Sequence, residues 1–169
     1  MDVKQKVSIP ASDILLRKLA SNKIEDNFDP LSNWINRYRI LPVTYPPLAN
    51  ETIGYLVIKK RVKNDKSFEL QITQRLRLEE ESHFFGAHIL KATILCRNDA
   101  FATPEQWEWT SSYKHQNSNT EILRLQETAT YKDGRLERET RNGVFHSAIQ
   151  GYFSLEWCLL EAIQRFHPV

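Results

Sequence analysis

The chain has 169 residues, the size of one domain and long enough to bury most of the surface that an unfolded chain exposes. Apolar residues make up 41% and charged residues 26%, with 8 Phe, 6 Tyr and 4 Trp, a composition that excludes a disordered chain. A formal net charge of +2 argues against a nucleic-acid or membrane partner at the level of composition, so any basic footprint must be local.

The opening residues MDVKQKVSIP lack the roughly 7–15-residue apolar segment of a secretory signal, and no later run approaches the ~20 apolar residues of a membrane span. A cytoplasmic protein without a membrane span is the expectation. Cys96 and Cys158 are the only cysteines. They make no disulfide framework and lack the paired CxxC spacing of a zinc site.

Ser12-Asp13 ahead of Ile14, Leu15, Leu16 and Leu19 predicts an N-capped helix that ends near Ser21-Asn22. Between residues 27 and 50, Pro30, Pro42, Pro46 and Pro47 alternate with Trp34, Tyr38 and Tyr45. That mixture predicts an irregular wrapping segment, with a single helical turn at residues 31–38.

From Thr52 the apolar period becomes two: Ile53, Tyr55 and Val57 before a polar turn, then Phe68, Leu70, Ile72, Leu76 and Leu78 after it. A two-residue loop at Asn64-Asp65 would set Val57 opposite Ile72 and Tyr55 opposite Gln74. It would also pair Lys60 with Glu69 on a solvated face and leave Lys59 and Arg61 on the apolar side. Residues 83–97 are apolar in both phases, as expected of a central strand covered on both faces. Trp107, Trp109, Ser111 and Tyr113 alternate with polar residues to give a further strand.

The strongest local signal is Asp133-Gly134, a type I′ hairpin turn, which sets Tyr131 opposite Leu136, Ala129 opposite Arg138 and Glu127 opposite Thr140. Residues 144–149 add a short strand. Ser154 then reads as the N-cap of a closing helix with an apolar stripe of Leu155, Leu159, Ala162, Ile163 and Phe166. Trp157 and Leu160 fall off that stripe and offer a possible homodimer contact.

The fold class read from this pattern is α+β in a single domain over residues 1–169. A helical and irregular segment occupies residues 1–50, an antiparallel sheet 51–149 and a C-terminal helix 151–167. The sheet would have about six or seven strands in meander order, strongly curved or an incomplete barrel, with both helices packed on it.

Polar residues that interrupt the apolar rows are the functional candidates: Gln74, Ser111, Glu127 and Arg138, with walls from Tyr55, Ile72, Leu76, Trp107, Trp109, Leu125 and Tyr131. Apolar walls with a few fixed donors and acceptors suit a small amphipathic ligand, in an architecture of the lipocalin-like kind. Alternatively, the same cavity serves a cofactor-independent isomerase, cyclase or lyase, with Glu127 moving a proton and Arg138 stabilising charge. A structural or interaction domain with a packed interior is the third reading. No cofactor or metal is called for: the five histidines lack chelating spacing, and no GxGxxG, P-loop or GxSxG occurs. His88 joins the candidate face only if the preceding connection shifts the strand phase.

Overall fold

A computed structural model describes residues 29–41, 52–80, 83–118 and 120–163. The helix expected at residues 12–21 lies outside them. Eight strands form one antiparallel sheet in strict meander order: β1 (Trp34–Ile40), β2 (Gly54–Asn64), β3 (Ser67–Glu80), β4 (His83–Arg97), β5 (Pro104–His115), β6 (Glu121–Lys132), β7 (Arg135–Thr140) and β8 (Gly143–Ala148). β1 and β8 are the two edges, so the sheet is open. Among the described residues one helix, α1 (Glu156–Ile163), packs on one face.

The sheet gains its first strand where a helical turn was expected. Trp34, Asn36, Tyr38 and Ile40 alternate with Ile35, Arg37 and Arg39, and every residue from Trp34 to Ile40 pairs with β2. β-branched and aromatic residues with period two favour a pleated strand over a helix.

The β2–β3 register also differs from expectation. Asn64 pairs with Ser67, and its Oδ1 accepts bonds from the Lys66 amide at 2.9 Å and the Ser67 hydroxyl at 3.1 Å, so the turn is built on Asp65-Lys66. A bulge between Val62 and Asn64 absorbs one residue, and Ile58, rather than Val57, lies opposite Ile72. One residue of slip exchanges the faces of an entire strand. Leu56, Ile58, Lys60 and Val62 therefore face the helix with Phe68, Leu70 and Ile72, while Tyr55, Lys59 and Arg61 face away.

Beneath α1 the core is continuous: Ile58, Phe68, Leu70, Ile72, Ile94 and Cys96 are fully buried, joined by Trp107, Ala129 and Cys158. Each large aliphatic or aromatic side chain removed from water contributes roughly 1.5–3 kcal/mol. Burial of Cys158, Glu161 and Ala162 against the sheet stabilises α1, since helices in proteins are held mainly by packing. β4 carries this face at its centre, but its other face is not covered as expected, since Lys91 and Arg97 are exposed there.

α1 begins later than the predicted helix, at Glu156, and Ser154 does not cap it: its hydroxyl donates to the Phe101 carbonyl at 3.0 Å. The helix buries more than the expected stripe. Cys158, Glu161 and Ala162 are buried, Leu155, Trp157 and Leu160 pack partly buried against the main core, and Leu159 packs against Ala162.

The reason is a buried ion pair. Lys60 Nζ lies 2.7 Å from Glu161 Oε1 with both side chains fully buried, and it also donates to the Pro30 carbonyl at 2.9 Å. Trp34 Nε1 donates to Glu161 Oε2 at 2.9 Å. Two charges out of water are tolerated only when paired and further hydrogen-bonded, so Glu161 must point at Lys60, and that fixes the rotation of α1. Beside this pair, Cys96 Sγ and Cys158 Sγ are 3.6 Å apart as free thiols. Burial, and then the neighbouring thiol, push the Cys96 titration well above the ordinary range.

Candidate functional site

The helix-bearing face continues past α1 into a half that no described residue covers. The predicted β6–β7 hairpin is present as read from the sequence. Asp133 and Gly134 have φ of 50° and 74°, both positive as the type I′ turn demands, and Tyr131 pairs with Leu136, Ala129 with Arg138 and Glu127 with Thr140. Glu127 thus lies in an apolar row beside Ala129, two positions from Leu125, and opposite Trp109 on β5.

Two indoles aim at this carboxylate. Trp107 Nε1 donates to Glu127 Oε1 at 3.1 Å and Trp109 Nε1 donates to the same oxygen at 3.2 Å. The other oxygen, Oε2, lies 3.7 Å from Arg138 NH1. Period-two spacing puts both tryptophans on one face, and the β5–β6 register brings Glu127 between their indole nitrogens. The carboxylate is mostly covered, with 14% of its side chain accessible, while 43% of the Arg138 side chain remains open to solvent. Arg138 Nε is buried with no hydrogen-bond partner among the described residues. The buried Nε is closed to solvent, so a ligand would meet Arg138 at the exposed part of its side chain.

A shallow cavity of about 250 Å³ opens beside this cluster, lined by Trp109, Leu125, Gln126, Glu127, Thr140, Arg141 and Asn142. Leu125 is 56% exposed although it shares the face of the core. A larger depression of about 1030 Å³ lies at the Asp133-Gly134 end, walled by Thr130, Lys132, Arg135, Glu137 and His146. Leu136 and Ala148 also line it, but it is open to solvent and lacks the enclosure that a small-molecule site needs.

Gln74 and Ser111 occupy the same face: Gln74 pairs with Leu90, and Leu90 with Ser111. His88 joins them through a bulge between Leu78 and Glu79, which puts His88 opposite Leu76. Its Nε2 lies 2.6 Å from Ser111 Oγ. The Tyr113 ring lies over Gly86, where a Cβ would come within 2.8 Å of the ring, so only glycine lets it sit flat on the sheet.

Of the residues singled out from sequence, Trp109, Leu125, Glu127 and Arg138 come together, and Gln74 and Ser111 extend the same face. Trp107 and Tyr131 belong to the packed side. Trp107 is buried, and Tyr131 stacks on Phe153 with ring centroids 4.7 Å apart. Ile72 is core, Leu76 lies on the open half, and Tyr55 is on the opposite face because of the β2 bulge. His88, whose place on this face depended on the strand phase, is brought there by the register shift at Leu78 and Glu79, whereas the Lys60–Glu161 pair was missed as a site-forming group. The signal for the latter was an acid in the apolar run LLEAI and a lysine between Ile58 and Val62.

The described residues form an open antiparallel meander sheet with one helix packed on one face. No helix of the described residues is long and apolar enough to cross a membrane. Comparison with protein-family models, curated proteins and solved structures gives no significant match. No group of described residues has the make-up of a metal site.

Proposed function

We propose that the open half of the helix-bearing face binds a small amphipathic molecule, its polar end at Arg138 and its apolar body along Leu125, Trp109, Leu90 and Leu76. The observation that carries this reading is the Trp107–Trp109–Glu127–Arg138 cluster: a carboxylate held by two indole donors, beside an arginine whose side chain is 43% exposed. Apolar walls with few, fixed polar groups are the usual construction of a ligand site. The exposed Leu125 beside this cluster adds an apolar surface whose cover is not among the described residues. Both oxygens of Glu127 are engaged by protein groups, which favours an orienting role over proton transfer to a substrate.

The test is a titration with dodecanoate, dodecylammonium and an uncharged dodecyl glycoside below their micelle concentrations, followed by tryptophan fluorescence. The carboxylate should bind most tightly, and Arg138→Ala should weaken it at least fivefold while leaving the thermal midpoint nearly unchanged. Unchanged affinity in the folded fraction of Arg138→Ala would reject the reading.

A further inference from the structure

The face of the sheet away from α1 carries a second, independent feature. In the observed register Arg39, Tyr55 and Arg75 form one cross-strand row over β1, β2 and β3, and Arg37 lies two residues along β1 from Arg39. Lys59 and Arg61 follow on β2, facing the same way because of the bulge between Val62 and Asn64. Arg37, Arg39, Arg61 and Arg75 are exposed, and Lys59 is half-buried. None of the five forms an ion pair with a described residue. The acid among them, Glu69, is held by Lys63 at 2.9 Å, and its carboxyl is kept below the usual range chiefly by that bond. The patch ends at β4, where Lys91 is matched by Glu121 at 3.1 Å.

Five like charges on three neighbouring strands repel one another, and only Arg61, opposite Glu69 and helping to lower its titration, has an acid of the patch as its cross-strand neighbour. Strands are about 4.8 Å apart and alternate residues about 6.8 Å apart along a strand, so the guanidinium groups tile a surface of nucleotide dimensions. Four of the five cations are arginines, whose planar fork matches phosphate oxygens better than a lysine point charge. Tyr55, 56% exposed and flanked by Arg39 and Arg75, is an aromatic face among cations, with Ile35 exposed beside Lys59. An acidic protein surface would use the charges and leave the ring without a role. A duplex would hide its bases from the ring. Unpaired bases stacking on tyrosine while phosphates meet arginines use both.

We propose that this outer face binds single-stranded nucleic acid through phosphate contacts to Arg37, Arg39, Arg61 and Arg75 and base stacking on Tyr55. The site lies on the other side of the sheet from the amphiphile site and does not depend on it.

The experiment is fluorescence anisotropy of labelled twelve-nucleotide dT and rU oligomers with the full chain, from low to physiological salt. Binding should weaken with salt along a log–log slope of about −3, as expected for some four phosphates neutralised on a single strand. The double variant Arg39→Glu/Arg75→Glu should lose at least tenfold in affinity and flatten the slope. Arg135→Glu, a reversal at the far end of the sheet, should bind as the parent does. Tyr55→Ala should lose about 5- to 100-fold with the slope unchanged. Retained thermal midpoints of these surface variants show that folding is not the cause. Absence of binding at low salt, equal losses for Arg135→Glu and the double variant, or duplex and polyglutamate binding as tight as the single strand would each overturn the proposal.

Discussion

The two halves of the helix-bearing face are made from the same strands and differ in what lies across them. Under α1, Ile58, Phe68, Leu70, Ile72 and Ile94 are sealed, and even a lysine, Lys60, is withdrawn from water against Glu161. Along the same strands, Gln74, His88 and Ser111 replace aliphatic residues and Leu125 stands half exposed. The contrast teaches where this chain invests in stability and where it keeps chemistry available. One half is a core whose polar exception is fully paired, and the other exposes Leu125 beside the Glu127–Arg138 pair.

That contrast can be broken most severely at the ion pair. Glu161→Ala leaves Lys60 buried without its carboxylate and should cost about 3–5 kcal/mol in chemical denaturation. The double change Lys60→Met with Glu161→Leu should recover most of that loss, since two apolar groups can replace a buried pair. If the double variant is no better than the single one, the charges serve some purpose other than mutual satisfaction.

Next in size is a matched pair of truncations. Ile94→Ala removes a fully buried side chain and should cost about 2–5 kcal/mol, whereas Leu125→Ala should stay within about 0.5 kcal/mol and act on ligand affinity instead. Comparable losses for both would mean that the open half is packed in solution.

The smallest effect is electrostatic and belongs to the far face. Glu69 titrates below its ordinary value chiefly through its bond to Lys63, and Glu121 through bonds to Ser112 and then Lys91. A carboxyl depressed in the folded state adds stability that is present above its unfolded value, roughly 4.3, and is lost as pH falls through the folded value. The midpoint should therefore drop below about pH 4, and Glu69→Gln with Glu121→Gln should blunt that drop. A pH profile unchanged by the two substitutions would remove this account.

Local chemistry made part of the fold legible before any tertiary contact was known. Asp133-Gly134 admits positive φ at both turn positions, so the β6–β7 register and the neighbourhood of Glu127 and Arg138 followed directly. The alternation from Trp107 to Tyr113 likewise put the two tryptophans and Ser111 on one face. Strand β1 was obscured by nearby prolines, which are punctuation for the flanks and say little about the seven residues from Trp34 to Ile40.

What the sequence determined by itself was the set of strands after Thr52, the Asp133-Gly134 pairing and the candidate carboxylate–arginine cluster, because each depends on residues close in the chain or opposite one tight turn. Only the tertiary structure decided the phase of β2, the rotation of α1 and hence the fate of Lys60, Tyr55, Lys59 and Arg61. A bulge is one inserted residue, with little local signature. The face of β2 that turns inward is settled by Lys60 meeting Glu161, 101 positions away, in a core where an unmatched charge would not be tolerated.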